Sequence, residues 1–311
     1  MPRLTVSVCV PTHQRTQLLV EALESGLAQT RLPDEIVVSD DTGSADTRAL
    51  VHDVARRAPF PVRYVHCTSG QSQVDNVNNC LREATGDLAV LLHDDDLLVP
   101  KSIEMLAAPC EEDRGIVGAY GKQIFVTDNG EFIPGETDVN NRAYRRTPEY
   151  AGLQPDALLA AIWQQFPNDG YMVRTADARE VLYRHNYGAA TDFDFGLRLA
   201  ERGKFYYVDD FASKYRNSTD SITRGAGVPS DDSGYFGMKL LQEQLAAHPG
   251  HTAEIVAALK NVAPIGILSA ANTGRLDEAS AWYFGPYHRA RILTPGGLKR
   301  GLYLLKMRLK G

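Results

Sequence analysis

The sequence predicts an α/β fold with a mainly parallel sheet flanked by helices and a helical extension at its C-terminal end. Two observations carry this prediction. Over the first hundred residues, short and nearly continuous apolar runs alternate with segments of helical period, the pattern of strands buried on both faces by crossover helices. After residue 225 the strand-like runs stop and only helix-period segments follow.

Taken in order, Leu4–Val10 is a strand that Pro11 ends, and 15–29 places Leu18, Leu19, Ala22, Leu23 and Leu27 on one helical stripe. Glu35–Ser39 is the second strand and 44–57 its helix; Val62–His66 and 72–84 repeat the pair; Leu88–Leu92 is wholly apolar, and a helix begins near Pro100. Farther on, Ile116–Tyr120 and Lys122–Val126 are β-rich, Asp128-Asn129-Gly130 signals a hairpin, and Asn140–Arg146 is polar and rich in arginine. Thr191 opens a helix whose apolar face runs through Phe195, Leu197 and Leu199. Helical patterns follow at 235–247, 251–260 and 275–284, and from Gly297 to Lys310 leucines alternate with basic residues.

The 311 residues, 43% hydrophobic and 23% charged, suffice for one large or two modest domains and exclude a disordered or disulfide-stapled chain. Cys9, Cys67, Cys80 and Cys110 are far apart, with no CxxC pair, and read as reduced, buried thiols. The N-terminal apolar run is too short for a signal-peptide core, and no stretch approaches the roughly 18 uninterrupted apolar residues of a spanning helix. The expected location is cytoplasmic. A formal charge of −6 argues against a nucleic-acid partner. The charge is uneven: after Glu278 no acid occurs, while Arg289, Arg291, Lys299, Arg300, Lys306, Arg308 and Lys310 follow.

Ligands of parallel sheets gather at the strands' C-terminal ends. There the sequence reads Pro11-Thr12-His13-Gln14-Arg15, Asp40-Asp41-Thr42-Gly43, Cys67-Thr68-Ser69-Gly70 and His93-Asp94-Asp95-Asp96. Adjacent carboxylates at the end of a buried strand repel one another unless a cation joins them. Mg²⁺ or Mn²⁺ suits such a place, because these ions take a few protein carboxylates and fill the remaining positions with water and phosphate oxygens.

With these motifs in order the chain resembles glycosyltransferase family 2, whose fold is the Rossmann-like GT-A. The resemblance rests on Pro11-Thr12-x-x-Arg15, Ile36-Val37-Val38-x-Asp40-Asp41 and Asn78-x-x-Leu81-x-x-Ala84-x-Gly86. It continues in Leu91–Pro100 and in Thr191-Asp192-Phe193-Asp194-Phe195-x-Leu197-Arg198-Leu199, covering residues 4 to about 220. It implies a metal-dependent enzyme that moves a sugar from a nucleoside-diphosphate sugar, with UDP- or dTDP-sugars favoured, to an acceptor hydroxyl, inverting the anomeric centre. It further implies that Pro11, Thr12 and Arg15 form the nucleotide-side turn, that Asp40 and Asp41 hold the nucleoside, and that Asn78 borders the nucleotide, with Asn76 or Asn79 as alternatives.

The family pattern also bears on the acidic triplet. It normally has an acid where His93 stands; Asp94-x-Asp96 spells DxD, whereas family register favours Asp95. Asp94, Asp95 and Asp96 are therefore all candidate metal ligands, with Asp94 also against the donor; capping of the next helix is the bland alternative. Asp192 corresponds to the catalytic base, Thr191 replacing the usual Glu, with helix capping as its alternative. Asp194 and Arg198 are spaced to pair. Arg216, in Lys214–Ser221, is the candidate phosphate clamp.

Three parts are expected: a nucleotide-sugar half (1–110), an acceptor and catalytic half (111–225) and a helical extension (226–311). The rings of Trp163, Phe166 and Tyr171 read as core more than as sugar platforms. The acceptor would be a glycan or lipid-linked. Residues 289–311 read equally as a peripheral anchor to anionic lipid at the inner membrane face and as a helix docked on its own domain or on a second subunit in a homo-oligomer. A sugar-1-phosphate nucleotidyltransferase, which normally has a Gly-rich N-terminal loop absent here, and a non-catalytic nucleotide-sugar-binding relative are the other readings.

Overall fold

The computed structural model describes residues 3–217 and 232–309. The chain divides into two compact units, the first of residues 1–184 and 195–217 and the second of residues 185–194 and 218–311.

In the first unit the strands are β1 (Val6–Thr12), β2 (Glu35–Asp40), β3 (Val62–His66), β4 (Leu88–Leu91), β5 (Leu97–Leu98), β6 (Ile116–Val126), β7 (Gly152–Leu153), β8 (Met172–Arg174) and β9 (Lys204–Arg216). Its helices are α1 (Thr16–Leu27), α2 (Ala45–Arg57), α3 (Gln73–Glu83), α4 (Ser102–Glu112), α5 (Pro134–Ala143), α6 (Ala157–Ile162) and α7 (Thr175–Val181), and α8 (Thr191–Ala200) belongs to it from Phe195 onward. Among the described residues the strands form one nine-stranded sheet in the order β3-β2-β1-β4-β8-β6-β9-β5, with β7 on β9. β3, β2, β1 and β4 are parallel, as the alternation predicts. β8 runs antiparallel to both β4 and β6, so the second half of the sheet is mixed.

Two element boundaries differ from expectation, and one expected turn is present. Pro11 does not end β1; it pairs in register with Ser39, at a point where β1 has lost its other neighbour, because pairing to β4 stops at Cys9. The two β-rich runs after 115 are a single strand, β6, lying parallel to β9 with register shifts that absorb its irregularity. Asp128-Asn129-Gly130 does turn the chain, with Gly130 at φ 80° and an antiparallel bridge between Val126 and Phe132.

One face of the sheet is closed by α1, α2 and α4, whose Leu19, Leu23, Val51, Val54, Ile103 and Leu106 pack on Val8, Val10, Ile36, Val38 and Val90. All four cysteines are unpaired and buried. Near β6 the core is aromatic: Phe166 stacks on Phe205 with centroids 5.0 Å apart and meets Tyr171 at 4.5 Å.

The second unit holds α9 (Ser233–Ala247), α10 (Thr252–Asn272), α11 (Leu276–Phe284) and α12 (Pro295–Arg308). Its own core gathers Tyr235, Ile267, Ala270, Ala271, Ala279, Tyr283 and Leu304. α10 is much longer than the sequence pattern suggests. The stretch Pro249–Asn272 is long and apolar enough to cross a bilayer by length and composition, but α10 buries Ile255, Leu259, Ile267 and Ala271 as the central helix of this unit.

Candidate active site

The polar strand ends converge on the C-terminal side of β1, β2 and β4. The turn after β1 is built around Asp94: Thr12 Oγ1 donates to its Oδ2 at 2.7 Å, the His13 backbone N–H donates to the same oxygen at 3.2 Å, and Arg15 donates to Oδ1 at 3.5 Å. Asp94 is 5% exposed, and burial pushes its carboxyl upward against the hydrogen bond from Thr12. Arg15 also pairs with Asp95. Burial alone would weaken the Arg15 charge, but Asp95 and Asp94 outweigh it and raise its pKa.

After β2 the two acids diverge. Asp40 is fully engaged in its own loop: Oδ1 accepts from the Thr42 N–H and hydroxyl at 2.9 and 2.6 Å, and Oδ2 accepts from the Ser44 N–H at 2.9 Å and the Tyr64 hydroxyl at 2.8 Å. Burial opposes ionisation, but these four donors prevail and hold its pKa below the ordinary value. Gly43, at φ 67°, makes the loop possible, since a Cβ there would stand 2.9 Å from the His66 ring. The carboxylate turned toward the β1 turn is that of Asp41, whose Oδ1 lies 2.7 Å from His13 Nδ1.

The acidic triplet also splits. One ligand atom each from His93, Asp95 and Asp96 lies within 4.8 Å of the others, whereas Asp94 belongs to the β1 turn. The donors that Asp94 keeps are those of the β1 turn. None of the three caps the next helix: α4 begins at Ser102, its N-cap Lys101 gives no side-chain cap, and Asp96 Oδ1 accepts instead from the Arg216 backbone N–H at 2.7 Å.

Asp169 completes this corner. Its Oδ1 accepts from the His93 N–H at 2.7 Å, and its pKa is pushed up to about 6, chiefly by burial. Asp96 is driven well upward by burial and by Asp169 beside it. The Oδ2 atoms of both residues are buried and accept no hydrogen bond from the protein. Two neighbouring buried carboxyls, each with one oxygen lacking a donor, favour retaining a proton or taking up a cation. His93, Asp95 and Asp96 therefore fit a divalent ion on their own chemistry. A nitrogen ligand favours Mn²⁺ over Mg²⁺, which keeps more strictly to oxygen.

Two expected site residues keep partners within the protein. Asn78 grips a backbone, accepting from the Tyr183 N–H at 2.7 Å and donating to the Tyr183 carbonyl at 2.9 Å. The asparagine that reaches the β1 turn is Asn76, which donates to the Thr12 carbonyl at 2.9 Å. Arg216 is 5% exposed, and its guanidinium donates to the Asp95 carbonyl at 2.9 Å, to the Asp128 carbonyl, and to Glu21 Oε2 at 2.7 Å. It braces the acidic loop rather than standing open to phosphate. Residues 218–221 of its loop lie outside the described residues. Asp192 is half-buried on the first turn of α8 in the second unit, and Asp194 is 1% exposed. Arg198 donates to the carbonyls of Val181 and Leu182.

Sequence reasoning gave neither His93 nor Asp169 a place in this acidic corner. Asp169 carried a signal in Pro167-Asn168-Asp169-Gly170: Gly170 has φ 69°, and a Cβ there would stand 2.3 Å from Ser213 Oγ, so this turn requires glycine and fixes the acid before it.

Beside β6, Arg142, Arg145, Thr147, Glu149, Tyr150 and Trp163 line a cavity of about 560 Å³, with the Arg145 guanidinium 3.7 Å above the Trp163 ring. Arg145 and Gln164 are held at positive φ, 56° and 53°. What holds them is a buried network in which Gln165 donates to the Arg145 carbonyl at 2.8 Å and Arg146 donates to the Gln165 carbonyl at 2.8 Å and to Gln123 Oε1 at 2.7 Å. Gln123 in turn donates to the Asp169 carbonyl at 3.4 Å, so cavity and acidic corner share one scaffold.

Solved structures share this fold. S. aureus TarS 1-349 in complex with UDP-GlcNAc matches with a TM-score of 0.61 at 16% identity, over 99% of this chain and 92% of that one. A mannosyltransferase from Pyrobaculum calidifontis, in complex with GDP-Man and Mn²⁺, matches with a TM-score of 0.54 at 16% identity, over 100% and 87%. Residues 7–152 match the family model described as Glycosyl transferase family 2, and the chain belongs to that family. The uncharacterized glycosyltransferase YwdF of Bacillus subtilis is 27% identical over 64% of this chain and 69% of its own. The GalNAc(5)-diNAcBac-PP-undecaprenol beta-1,3-glucosyltransferase of Campylobacter jejuni is 34% identical, over 36% of each chain.

Proposed function

We propose that the protein transfers a sugar, with inversion, from a UDP- or dTDP-linked donor to a hydroxyl of a glycan or lipid-linked glycan acceptor. The observation that carries this reading is the His93, Asp95 and Asp96 corner at the end of β4, beside the Asp41 and Thr12 turn. A divalent ion there would neutralise the departing diphosphate. Asp41 accepts from the nucleoside, through a ring imide N–H or ribose hydroxyls. Asp94 and Asn76 fix the β1 turn, and Arg216 fixes the acidic loop from behind. Asp192 takes the acceptor's proton as its oxygen attacks the anomeric carbon. The cavity under Arg145 and Trp163 receives the acceptor. The Campylobacter relative's undecaprenol-linked name supports a lipid-linked acceptor, and the UDP-GlcNAc and GDP-Man complexes support a nucleotide-sugar donor.

The test is a thermal-shift panel of UDP, dTDP and GDP with Mn²⁺, with Mg²⁺ and without metal, on the intact protein and on Asp95→Ala. A ligand bound only to the folded state stabilises it by RT ln(1 + [L]/Kd). One diphosphate should raise the midpoint only with metal, Mn²⁺ more than Mg²⁺, and Asp95→Ala should abolish the effect. A metal-independent shift, or none with any nucleotide, removes the central claim.

A further inference from the structure

α12 has two unlike faces. One is docked within its own unit: Leu304 is 5% exposed, and Tyr283 Oη donates to the carbonyl of the buried Gly297 at 3.1 Å. Gly301 approaches the same ring so closely that a Cβ there would stand 2.5 Å from the Tyr283 hydroxyl. These glycines let the helix sit directly on Tyr283. The other face is uncovered, with Leu298, Leu302, Leu305 and Leu309 exposed by 51, 68, 56 and 79%.

At the helical repeat these four leucines fall within about 60° of arc, a single stripe roughly 100° around the helix from the docked Gly297, Gly301 and Leu304. Lys299 and Lys306 share one shoulder of the stripe. On the other, Arg308 donates to Asp277 at 2.8 Å and to Ser280 at 3.1 Å. Leu293, 86% exposed, extends the apolar surface before the helix, beside Arg289 and Arg291. No acid occurs on this segment after Glu278.

We propose that this face docks on an anionic lipid surface, the helix lying in the plane of the interface with its leucines inserted and Lys299, Lys306, Arg289 and Arg291 against the headgroups. Charge complementarity selects this occupant. Two copies of the chain pairing symmetrically through the stripe would bring lysine shoulders together with no acid on the segment to receive them. The inference is independent of the sugar-transfer reading.

Co-sedimentation of the intact protein with phosphatidylcholine vesicles, with and without phosphatidylglycerol, tests it. Binding should require phosphatidylglycerol and weaken with added salt. Leu298→Ser/Leu302→Ser/Leu305→Ser should lower the partition constant at least about tenfold. Lys299→Glu/Lys306→Glu should lower it about fivefold or more for each charge reversed. Both variants alter exposed side chains and should keep the thermal midpoint; if the leucine variant does not, the lysine variant decides. An intact protein left in the supernatant with phosphatidylglycerol vesicles overturns the proposal. So do equal binding by the variants and a concentration-dependent dimer that the leucine variant abolishes without change in vesicle binding.

Discussion

Three adjacent aspartates do three different things because each meets different partners from distant parts of the chain. Asp94 accepts from Thr12 and His13, Asp95 faces Arg15, and Asp96 meets Asp169 and the Arg216 N–H. Asp94→Asn should therefore destabilise the fold by about 1–3 kcal/mol, the cost of disturbing a buried acceptor, and leave cation affinity nearly intact. Asp95→Asn should do the reverse, losing Mn²⁺-dependent nucleotide binding with little change in thermal midpoint. Asn78→Ala belongs with Asp94: it leaves the Tyr183 backbone pair unsatisfied, costing about 2 kcal/mol by thermal or denaturant melts, while nucleotide affinity stays unchanged. Asp192→Asn should lower kcat about 10²- to 10⁴-fold with donor affinity unchanged; equal turnover would remove Asp192 as the base. The sequence made the acidic cluster legible, as well as the acids after β2. It could not assign Asp40 to its loop and Asp41 to the turn, because the Tyr64 and His13 contacts that separate them come from other elements.

Between elements, one buried acid ties the parallel block together. Glu35, at the start of β2 and 4% exposed, accepts from Ser7 of β1 at 2.7 Å, from Arg63 of β3 at 2.9 Å, and from the N–H and hydroxyl of Thr85 ahead of β4 at 2.5 and 2.8 Å. Burial pushes its pKa up, but the donors outweigh burial and the net shift is downward. A folded-state pKa below the unfolded one means stability that is present above the unfolded value and lost as pH falls through the folded one. Glu35→Gln should thus destabilise by about 1–3 kcal/mol near neutral pH, and the gap should close in acid; denaturant melts across pH check both limbs. The β1–β4 alternation was readable because buried parallel strands are apolar throughout. β9 was not: Lys204–Arg216 alternates buried and polar positions through Asp209 and Asp210, and its pairing to β6 joins segments about ninety residues apart. Pairing of that kind leaves no local sequence signal.

For the whole molecule, the decisive fact is that each unit holds a hydrophobic cluster made of its own described residues. The first gathers the sheet with α1, α2 and α4; the second gathers α9–α12 around Ile267 and Tyr283. Yet the chain passes between the units three times, once inside α8, where Asp194 and Phe195 fall on opposite sides of the division. The second unit is therefore not a tail appended after the first, which is why a linear division of the sequence at residue 225 or 226 cannot reproduce it. A cluster within each unit predicts separable stability. Ile267 is fully buried in the second core, and Ile267→Ala should destabilise that unit by about 2–5 kcal/mol through lost burial and the cavity left behind. Every nucleotide-side residue named here, from Thr12 to Arg216, lies in the first unit. Below the lowered transition, Mn²⁺-dependent UDP affinity measured by calorimetry should then remain within about twofold of the intact protein, a difference under about 0.5 kcal/mol. A parallel loss of affinity would mean that the nucleotide side of the site draws on the second core, and the division of labour between the units would have to be redrawn.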